Sequence, residues 1–209
     1  MNEQQRPKPF SMIREFHLAD WITLGNAVCG VGALFSVMSY LRMQNVLHLY
    51  FACALIPAAL VFDVLDGRVA RWRQKSSAMG RELDSLADVI SFGVAPASLA
   101  YAIGMATFWD AVALLFFVGC GISRLARYNV TSDALARGSG KVTYFEGTPI
   151  PTSVLLVGLM VALTWLGRIG PDLPLGAVAL GPFDLHPLVL LFVLSGSLMI
   201  SKTLRIPKF

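Results

Sequence analysis

Four aspartates are arranged in two closely spaced pairs in the first half of the sequence. Asp63 and Asp66 are three residues apart, and Asp84 and Asp88 are four apart. On a helix, each of these spacings places both side chains on one face. A short turn around Lys75–Ala78 would let the two helices run antiparallel, so that the four carboxylates converge. Such an oxygen-only group favours Mg²⁺ or Mn²⁺ over zinc, and these ions are common partners of phosphate and pyrophosphate groups.

Small residues flank both pairs of aspartates. Gly67 and Ala70 lie just beyond the first pair, and Gly80 lies near the start of the second helix. The bare helix surface that they leave lets a bulky ligand such as a nucleotide approach the backbone closely. Arg71 can pair with a phosphate or with one of the carboxylates. The alternative, a solvated loop with incidental acids, leaves the two same-face pairs unexplained.

The elements that must position these residues are membrane helices. Of the 209 residues, 56% are hydrophobic and 14% are charged, whereas a soluble domain carries about 25% charged residues. A membrane helix needs about 20 mainly apolar residues, and six segments qualify. They are Ile22–Leu41, Val46–Leu65, Leu86–Gly104, Phe108–Ala126, Pro149–Gly167 and His186–Leu204. The sequence therefore predicts an all-α integral membrane protein, with a bundle of six transmembrane helices formed by one domain over residues 1–209.

The basic residues predict how this bundle is oriented. With the N-terminus in the cytoplasm, all of the 17 Lys and Arg residues except Arg42 and Arg168 fall on the cytoplasmic side, as the positive-inside rule requires. We therefore expect both termini and the aspartates at the cytoplasmic face of the cell membrane. The charge distribution shows no basic patch with interleaved aromatic residues, so no nucleic-acid partner is expected.

The segment before the first span has a different character. Phe10–Trp21 mixes aromatic and aliphatic side chains with charged ones and is too short and too polar to cross a membrane. This composition predicts an amphipathic helix that lies on the cytoplasmic surface. The alternative is an irregular polar tail.

The aspartates and their small neighbours form one longer pattern, Asp-x-x-Asp-Gly-x-x-Ala-Arg-x8-Gly-x3-Asp-x3-Asp. It is filled by Asp63, Asp66, Gly67, Ala70, Arg71, Gly80, Asp84 and Asp88. At every fixed position the pattern resembles the signature of the CDP-alcohol phosphotransferase family, and six spans preceded by a surface helix resemble its architecture. The resemblance implies that an alcohol oxygen attacks the lipid-side phosphate of a CDP-linked lipid and that CMP leaves.

The same resemblance implies roles for individual residues. Asp63, Asp66 and Asp84 would bind divalent metal ions, Mg²⁺ or Mn²⁺, with two ions expected. Asp88 would contact a metal and act as the general base. The residues implied to line the CDP-lipid site are Gly67, Ala70, Arg71 and Gly80. A homodimer is implied by the resemblance alone.

Several shorter runs resemble the phosphatidylserine synthase branch of this family, which implies CDP-diacylglycerol as the donor and L-serine as the acceptor. These runs are Thr23–Asn26, Asp84–Pro96, Arg124–Asn129 and Tyr144–Pro151. Thr148 and Ile150 in the last run differ from the residues typical of that branch at these positions. The alternative acceptor is glycerol 3-phosphate or inositol phosphate, since the basic residues of these runs could also bind the phosphate group of such an acceptor.

Five polar residues in these runs are candidate ligands of the substrates. Arg124 and Arg127 could receive the serine carboxylate or simply anchor the membrane boundary. Asn129 could bind serine or cap a turn. Thr23 and Asn26 lie on one helical face, where they could touch the CDP-lipid or hydrogen-bond between helices.

The same aspartates could serve a protein that is not an enzyme. A non-catalytic membrane protein such as a divalent-cation transporter could use them as its ion site, since acids at membrane depth mark ion pathways. The aspartates are expected at one membrane face, however, whereas transporters bind their ions near the midplane. The glycines and the Ala-Arg pair also have no role in plain ion binding.

Overall fold

The computed structural model describes residues 18–73, 78–137, 144–201 and 205–207, which are mainly helical. The α-helices in these ranges are α1 (Leu18–Met43), α2 (Leu47–Arg73), α3 (Ala78–Asp88), α4 (Ala95–Ala102), α5 (Phe108–Arg137), α6 (Val154–Trp165) and α7 (Leu190–Ile200). A π-helical turn, Val89–Val94, joins α3 to α4. Turns of 3₁₀-helix at Ile150–Ser153 and Pro187–Val189 lead into α6 and α7.

Four helical stretches are long and apolar enough to cross a membrane. They are Leu18–Met43, Leu47–Val69, Met79–Ala102 and Phe108–Thr131. The expected all-α membrane class is therefore confirmed. The fifth and sixth expected spans are also apolar helices, but Ile150–Trp165 and Pro187–Ile200 are shorter than a typical span.

The first helix begins earlier than the apolar run predicts. Leu18–Trp21, expected as the end of a surface helix, form the first turn of α1. Asp20 in this turn is buried, and an acid in the first turn of a helix is favoured by the helix dipole. The remainder of the predicted surface helix, together with its possible amphipathic character, lies outside the described residues.

The third crossing also begins earlier than predicted. The apolar span was expected to start at Leu86, and the helix that carries Asp84 and Asp88 near Gly80. The structure joins the two, because α3 begins at Ala78 and the helical path continues to Ala102. Asp84 and Asp88 therefore lie inside a spanning helix and not at its edge. This helix is the most enclosed of the four long ones. In its most apolar 18-residue stretch 61% is buried, whereas the corresponding values for the others are 28–39%.

α1 and α2 form an antiparallel pair that is packed along much of its length. Gln44 makes the turn between them with a left-handed backbone (φ 53°). The side chain of Asn45 accepts a hydrogen bond of 3.0 Å from the Leu47 amide, which caps the first turn of α2. This turn brings the N-terminal half of α1 alongside the C-terminal half of α2, where Asp63 and Asp66 lie.

The end of the bundle opposite the aspartates is held together by one buried carboxylate. Asp110, in the first turn of α5, accepts hydrogen bonds from the main chain of Thr107 at 3.1 Å and of His186 at 2.9 Å. Its Oδ2 also lies 2.6 Å from His186 Nδ1. The Asp110 amide in turn donates to the Thr107 hydroxyl at 3.3 Å, which completes a capping box. Asp110 thereby ties the start of α5 to the segment that leads into α7.

Two short antiparallel strand pairs supplement the helices, and neither was predicted from the sequence. β1 (Tyr144–Glu146) pairs with β4 (Arg205–Pro207), and β2 (Val178–Leu180) pairs with β3 (Phe183–Leu185). The Trp109 indole donates to the Leu180 carbonyl at 2.9 Å. This bond fixes the β2–β3 hairpin against the start of α5.

Candidate active site

Three of the four predicted aspartates converge between α2 and α3. One carboxylate oxygen from each of Asp63, Asp66 and Asp84 lies within 4.8 Å of the other two. α2 presents the first two from its C-terminal half, and α3 presents the third. Asp88 lies one turn further along α3 and is almost fully buried, with 7% of its surface exposed. The helical spacing in the sequence therefore predicted correctly that carboxylates of both pairs converge, and three of the four expected lie in this cluster.

The carboxylate cluster fits a hard divalent cation. One oxygen of Asp84, Oδ1, is buried and has no hydrogen-bond partner in the described ranges, and a buried polar atom without a partner is unusual in a folded protein. Three carboxylates this close together also repel one another in a medium of low dielectric constant. A cation bound among them would satisfy the buried oxygen and offset the repulsion, and an all-oxygen ligand set is one that Mg²⁺ and Mn²⁺ accept.

Two polar residues of α1 reach across to the acids. Thr23 Oγ1 donates to Asp66 Oδ2 at 2.7 Å, and Asn26 Nδ2 donates to Asp88 Oδ1 at 3.2 Å. Thr23 and Asn26 are both buried. Of the two roles considered for this pair from the sequence, the structure shows interhelical hydrogen bonds, and it adds that the bonded partners are the site aspartates. Contact with the CDP-lipid stays a prediction.

Two of the four residues predicted to line the nucleotide site, Gly67 and Gly80, are fully described by the structure. A Cβ atom added at Gly67 would meet nothing within 4 Å, so the surface of α2 beside Asp66 is open to a ligand. Gly80 is half-buried in the first turns of α3. Ala70 and Arg71 belong to α2, but their side chains lie outside the described residues.

The predicted acceptor-binding residues lie on the C-terminal half of α5. The Arg124 guanidinium lies 5.7 Å from the centre of the Tyr128 ring, a cation–π distance. Arg127 makes one long bond of 3.5 Å from Nη1 to the Ile200 carbonyl. Its Nη2 is buried and has no hydrogen-bond partner within the described part of the chain. Arg127 therefore retains a donor that an anionic ligand could use.

Asn129 is engaged with α3. Its Nδ2 donates to Ser85 Oγ at 3.0 Å and lies 3.5 Å from Glu82 Oε2. Ser85, which directly follows Asp84, was missed as a site residue from the sequence, although it lies inside the run Asp84–Pro96. The Asn129–Ser85 bond joins α5 to the helix that carries the second aspartate pair.

Comparison with known proteins adds evidence that is independent of the geometry. A family model for CDP-alcohol phosphatidyltransferase matches residues 16–195. A protein of Saccharomyces cerevisiae named CDP-diacylglycerol–serine O-phosphatidyltransferase is 46% identical over 202 residues, which are 95% of this chain and 73% of that protein. Proteins of the same name from Helicobacter pylori and Bacillus subtilis are 40% and 36% identical, over 68% and 62% of this chain and 55% and 67% of their own length.

Proposed function

This chain belongs to the CDP-alcohol phosphatidyltransferase family, and we propose that it transfers the phosphatidyl group of CDP-diacylglycerol to L-serine, giving phosphatidylserine and CMP. The observation that carries the proposal is the cluster of Asp63, Asp66 and Asp84 beside the open surface at Gly67. A cation-binding carboxylate group next to an uncovered helix face suits a pyrophosphate-linked nucleotide. The serine acceptor is supported by the names of the relatives, one of which aligns with 95% of this chain.

The residues of the cluster would hold the metal. Asp63, Asp66 and Asp84, together with Asp88, form the proposed ligand set for Mg²⁺ or Mn²⁺, with two ions in the active form. When bound, the metal neutralises charge on the pyrophosphate and on the departing CMP. Thr23 holds Asp66 in place through the 2.7 Å bond. The bare backbone at Gly67 admits the nucleotide, with Ala70, Arg71 and Gly80 as further lining residues.

Asp88 is the proposed general base. The serine hydroxyl oxygen forms a bond to the lipid-side phosphorus, the bond from that phosphorus to the CMP oxygen breaks, and the hydroxyl proton passes to Asp88. Burial of Asp88 and its bond to Asn26 fix the direction of the carboxylate. Because an alcohol is a weak acid, correct positioning of the hydroxyl beside this base supplies much of the activation.

Arg124, Arg127 and Asn129 are the proposed contacts for the serine carboxylate and ammonium. Support for Arg127 comes from its buried Nη2, which has no hydrogen-bond partner among the residues that the structure describes. A carboxylate is the natural ligand for such a guanidinium donor. Asn129 also orients the site, since its amide is bonded to Ser85 on α3.

The chain is a multi-pass membrane protein, as its family and its apolar helices indicate. We infer further that it forms one domain with six spans, with both termini and the active site on the cytoplasmic side of the cell membrane. Ile150–Trp165 and Pro187–Ile200 would be the short fifth and sixth spans, aided by the flanking chain and by local thinning of the bilayer. A homodimer is proposed from the family alone.

CMP release tests the proposed reaction directly. The purified protein would be assayed in detergent with CDP-diacylglycerol and Mn²⁺ or Mg²⁺, and with serine, glycerol 3-phosphate or inositol phosphate in parallel. Release that rises only with serine and stops in EDTA is the expected result. Release with another acceptor would replace serine while leaving the family reaction intact. No release with any acceptor or metal would refute the proposal and favour a non-catalytic membrane protein.

Arg127→Met tests the acceptor site with a side chain of similar length and no charge. The KM for serine should rise about tenfold or more, since a charge-assisted hydrogen bond is worth about 1.5–3 kcal/mol, while the KM for CDP-diacylglycerol should stay the same. Arg168→Met, at an exposed position outside the site, is the matched control. An unchanged KM for serine in Arg127→Met would remove Arg127 from the acceptor site.

A further inference from the structure

α1 lies against the acids with one face of small and polar residues. Thr23, Asn26 and Gly30 follow one another at helical spacing, and all three are buried. Thr23 bonds to Asp66 and Asn26 bonds to Asp88. Gly30 packs against Ser91, in the helical turn that follows Asp88. α1 therefore touches the helices of the site at three successive points.

Ser91 bonds to the same residue that holds Asp88. Its hydroxyl donates to the main-chain carbonyl of Asn26 at 3.0 Å, and the side-chain amide of Asn26 donates to Asp88 at 3.2 Å. Ser91 has no exposed surface. A substrate in the site therefore does not reach this hydroxyl, and any effect of Ser91 on the reaction has to pass through the protein.

Gly30 lets α1 approach Ser91 closely. A Cβ atom at Gly30 would lie 2.4 Å from the Ser91 hydroxyl and 2.9 Å from its Cα. Both distances are shorter than van der Waals contact, so only glycine fits here without a shift of one helix. The close packing keeps the Ser91 hydroxyl within hydrogen-bond distance of α1.

Ser91 also lies in the π-helical turn that begins directly after Asp88. The Ala95 amide at the end of this turn donates to the Ile90 carbonyl, five residues back. π-helical turns are rare and are frequently found at functional sites. The bond from Ser91 to Asn26 links this turn to α1 and so fixes it relative to the residue that contacts Asp88.

We propose that Ser91 is a positioning residue for Asp88. Its hydroxyl fixes the main chain of Asn26, and the Asn26 amide holds the Asp88 carboxylate in the direction that proton transfer from the acceptor requires. The proposal rests on the role of Asp88 as general base in the proposed function. It gives Asn26 a second role beside the predicted contact with the CDP-lipid.

Ser91→Ala separates positioning from substrate binding. The variant removes one buried hydrogen bond. If the usual net free energy of such a bond stabilises the transition state alone, kcat should fall about three- to tenfold. The KM values for CDP-diacylglycerol and for the acceptor should not change, because the side chain touches neither. Ser36→Ala is the matched control. The Ser36 hydroxyl donates to the Gly32 carbonyl within α1 at 2.9 Å, so its removal should leave kcat and the KM values unchanged.

The double variant tests whether Ser91 acts through Asn26. Asn26→Ala should lower kcat more than Ser91→Ala does, and adding Ser91→Ala to it should have little further effect. Ser91→Cys, which keeps a weak donor of similar size, should retain a kcat between those of Ser91→Ala and the wild type. Thermal unfolding in the same detergent confirms that each variant is folded.

Three results would overturn the inference. They are a wild-type kcat in Ser91→Ala, a change confined to the KM for CDP-diacylglycerol, and additive losses in the double variant. The constants are measured with whichever acceptor supports turnover, so an error in the choice of serine does not affect this test. If wild-type protein releases no CMP with any acceptor, the proposed function fails and this inference fails with it.

Discussion

Replacing Asp84 by asparagine should stabilise the metal-free protein and weaken its stabilisation by divalent cations. Asp84 shares its cluster with Asp63 and Asp66, and the ligand oxygens lie within 4.8 Å of one another. Two unit charges at 4.8 Å repel by about 3.5 kcal/mol at an effective dielectric constant of about 20. Asp84→Asn removes two such repulsions and supplies an amide N–H that can donate to the remaining carboxylates.

The measurable gain is smaller than this sum, because side-chain relaxation in the metal-free wild type already increases the separation of the charges. We expect the metal-free variant to be more stable than the wild type by about 1–2 kcal/mol, which raises the melting temperature by about 2–8 °C in a protein of this size. In Mn²⁺ the order should reverse. The wild type gains the binding free energy of the ion, whereas the variant has lost one ligand.

Thermal unfolding in detergent, followed by tryptophan fluorescence in EDTA and in Mn²⁺, gives the four melting temperatures required. Asp184→Asn is the matched control, since Asp184 is an exposed aspartate at the opposite end of the bundle from the cluster and its replacement should change neither value. The reasoning is wrong if Asp84→Asn melts below the wild type in EDTA. It is also wrong if the variant gains as much stability from Mn²⁺ as the wild type does.

Three further substitutions test other parts of the structure. Asp88→Asn should abolish CMP release while largely retaining binding of CDP-diacylglycerol, measured with a radiolabelled lipid; full turnover would remove Asp88 as the base. Asp66→Ala should lose metal-dependent lipid binding as well, and unchanged Mn²⁺ affinity by calorimetry would contradict its role as a ligand. Asp110→Ala should lower the free energy of unfolding by about 3 kcal/mol, since it leaves buried donors without a partner, while exposed Asp184→Ala should have almost no effect in the same melting assay.

The aspartate cluster could be predicted from the sequence because its geometry is mostly local. Asp63 and Asp66 share a face of any helix that contains both, and so do Asp84 and Asp88. The only tertiary assumption needed was that two consecutive helices run antiparallel. The structure agrees with this assumption in bringing Asp84 to the first pair.

Helix boundaries were harder to predict where polar residues enter a span. The third crossing was expected to start at Leu86 because Arg81, Glu82 and the two aspartates lower the local hydropathy. The helix that carries the aspartates was expected from about Gly80, and it begins at Ala78 and runs on into the apolar run without a break. Asp84 and Asp88 face the site and Glu82 lies near Asn129 of α5, so these side chains need not face lipid. Hydropathy averaged along the sequence does not distinguish a polar side chain that faces a site from one that would face lipid.

The short strands could not be predicted because their pairing depends on distant residues. β2 and β3 lie in a segment rich in glycine and proline that reads as a loop. The hairpin is held by Trp109, whose indole bonds to Leu180 across 71 residues of sequence. Phe108 also stacks on Phe183 with 4.7 Å between the ring centres.

The contacts of α1 show how one set of residues serves both the fold and the site. Thr23, Asn26 and Ser91 are polar side chains buried among membrane helices, where a polar group without a partner is costly. Their bonds span 43, 62 and 65 residues of sequence, so a single sequence does not reveal them. Because their partners include the site aspartates, the bonds that hold α1 in the bundle also fix the direction of the carboxylates. A substitution on this face of α1 should therefore change helix packing and turnover together, whereas one on its lipid-facing side, such as Val28→Ala, should change neither.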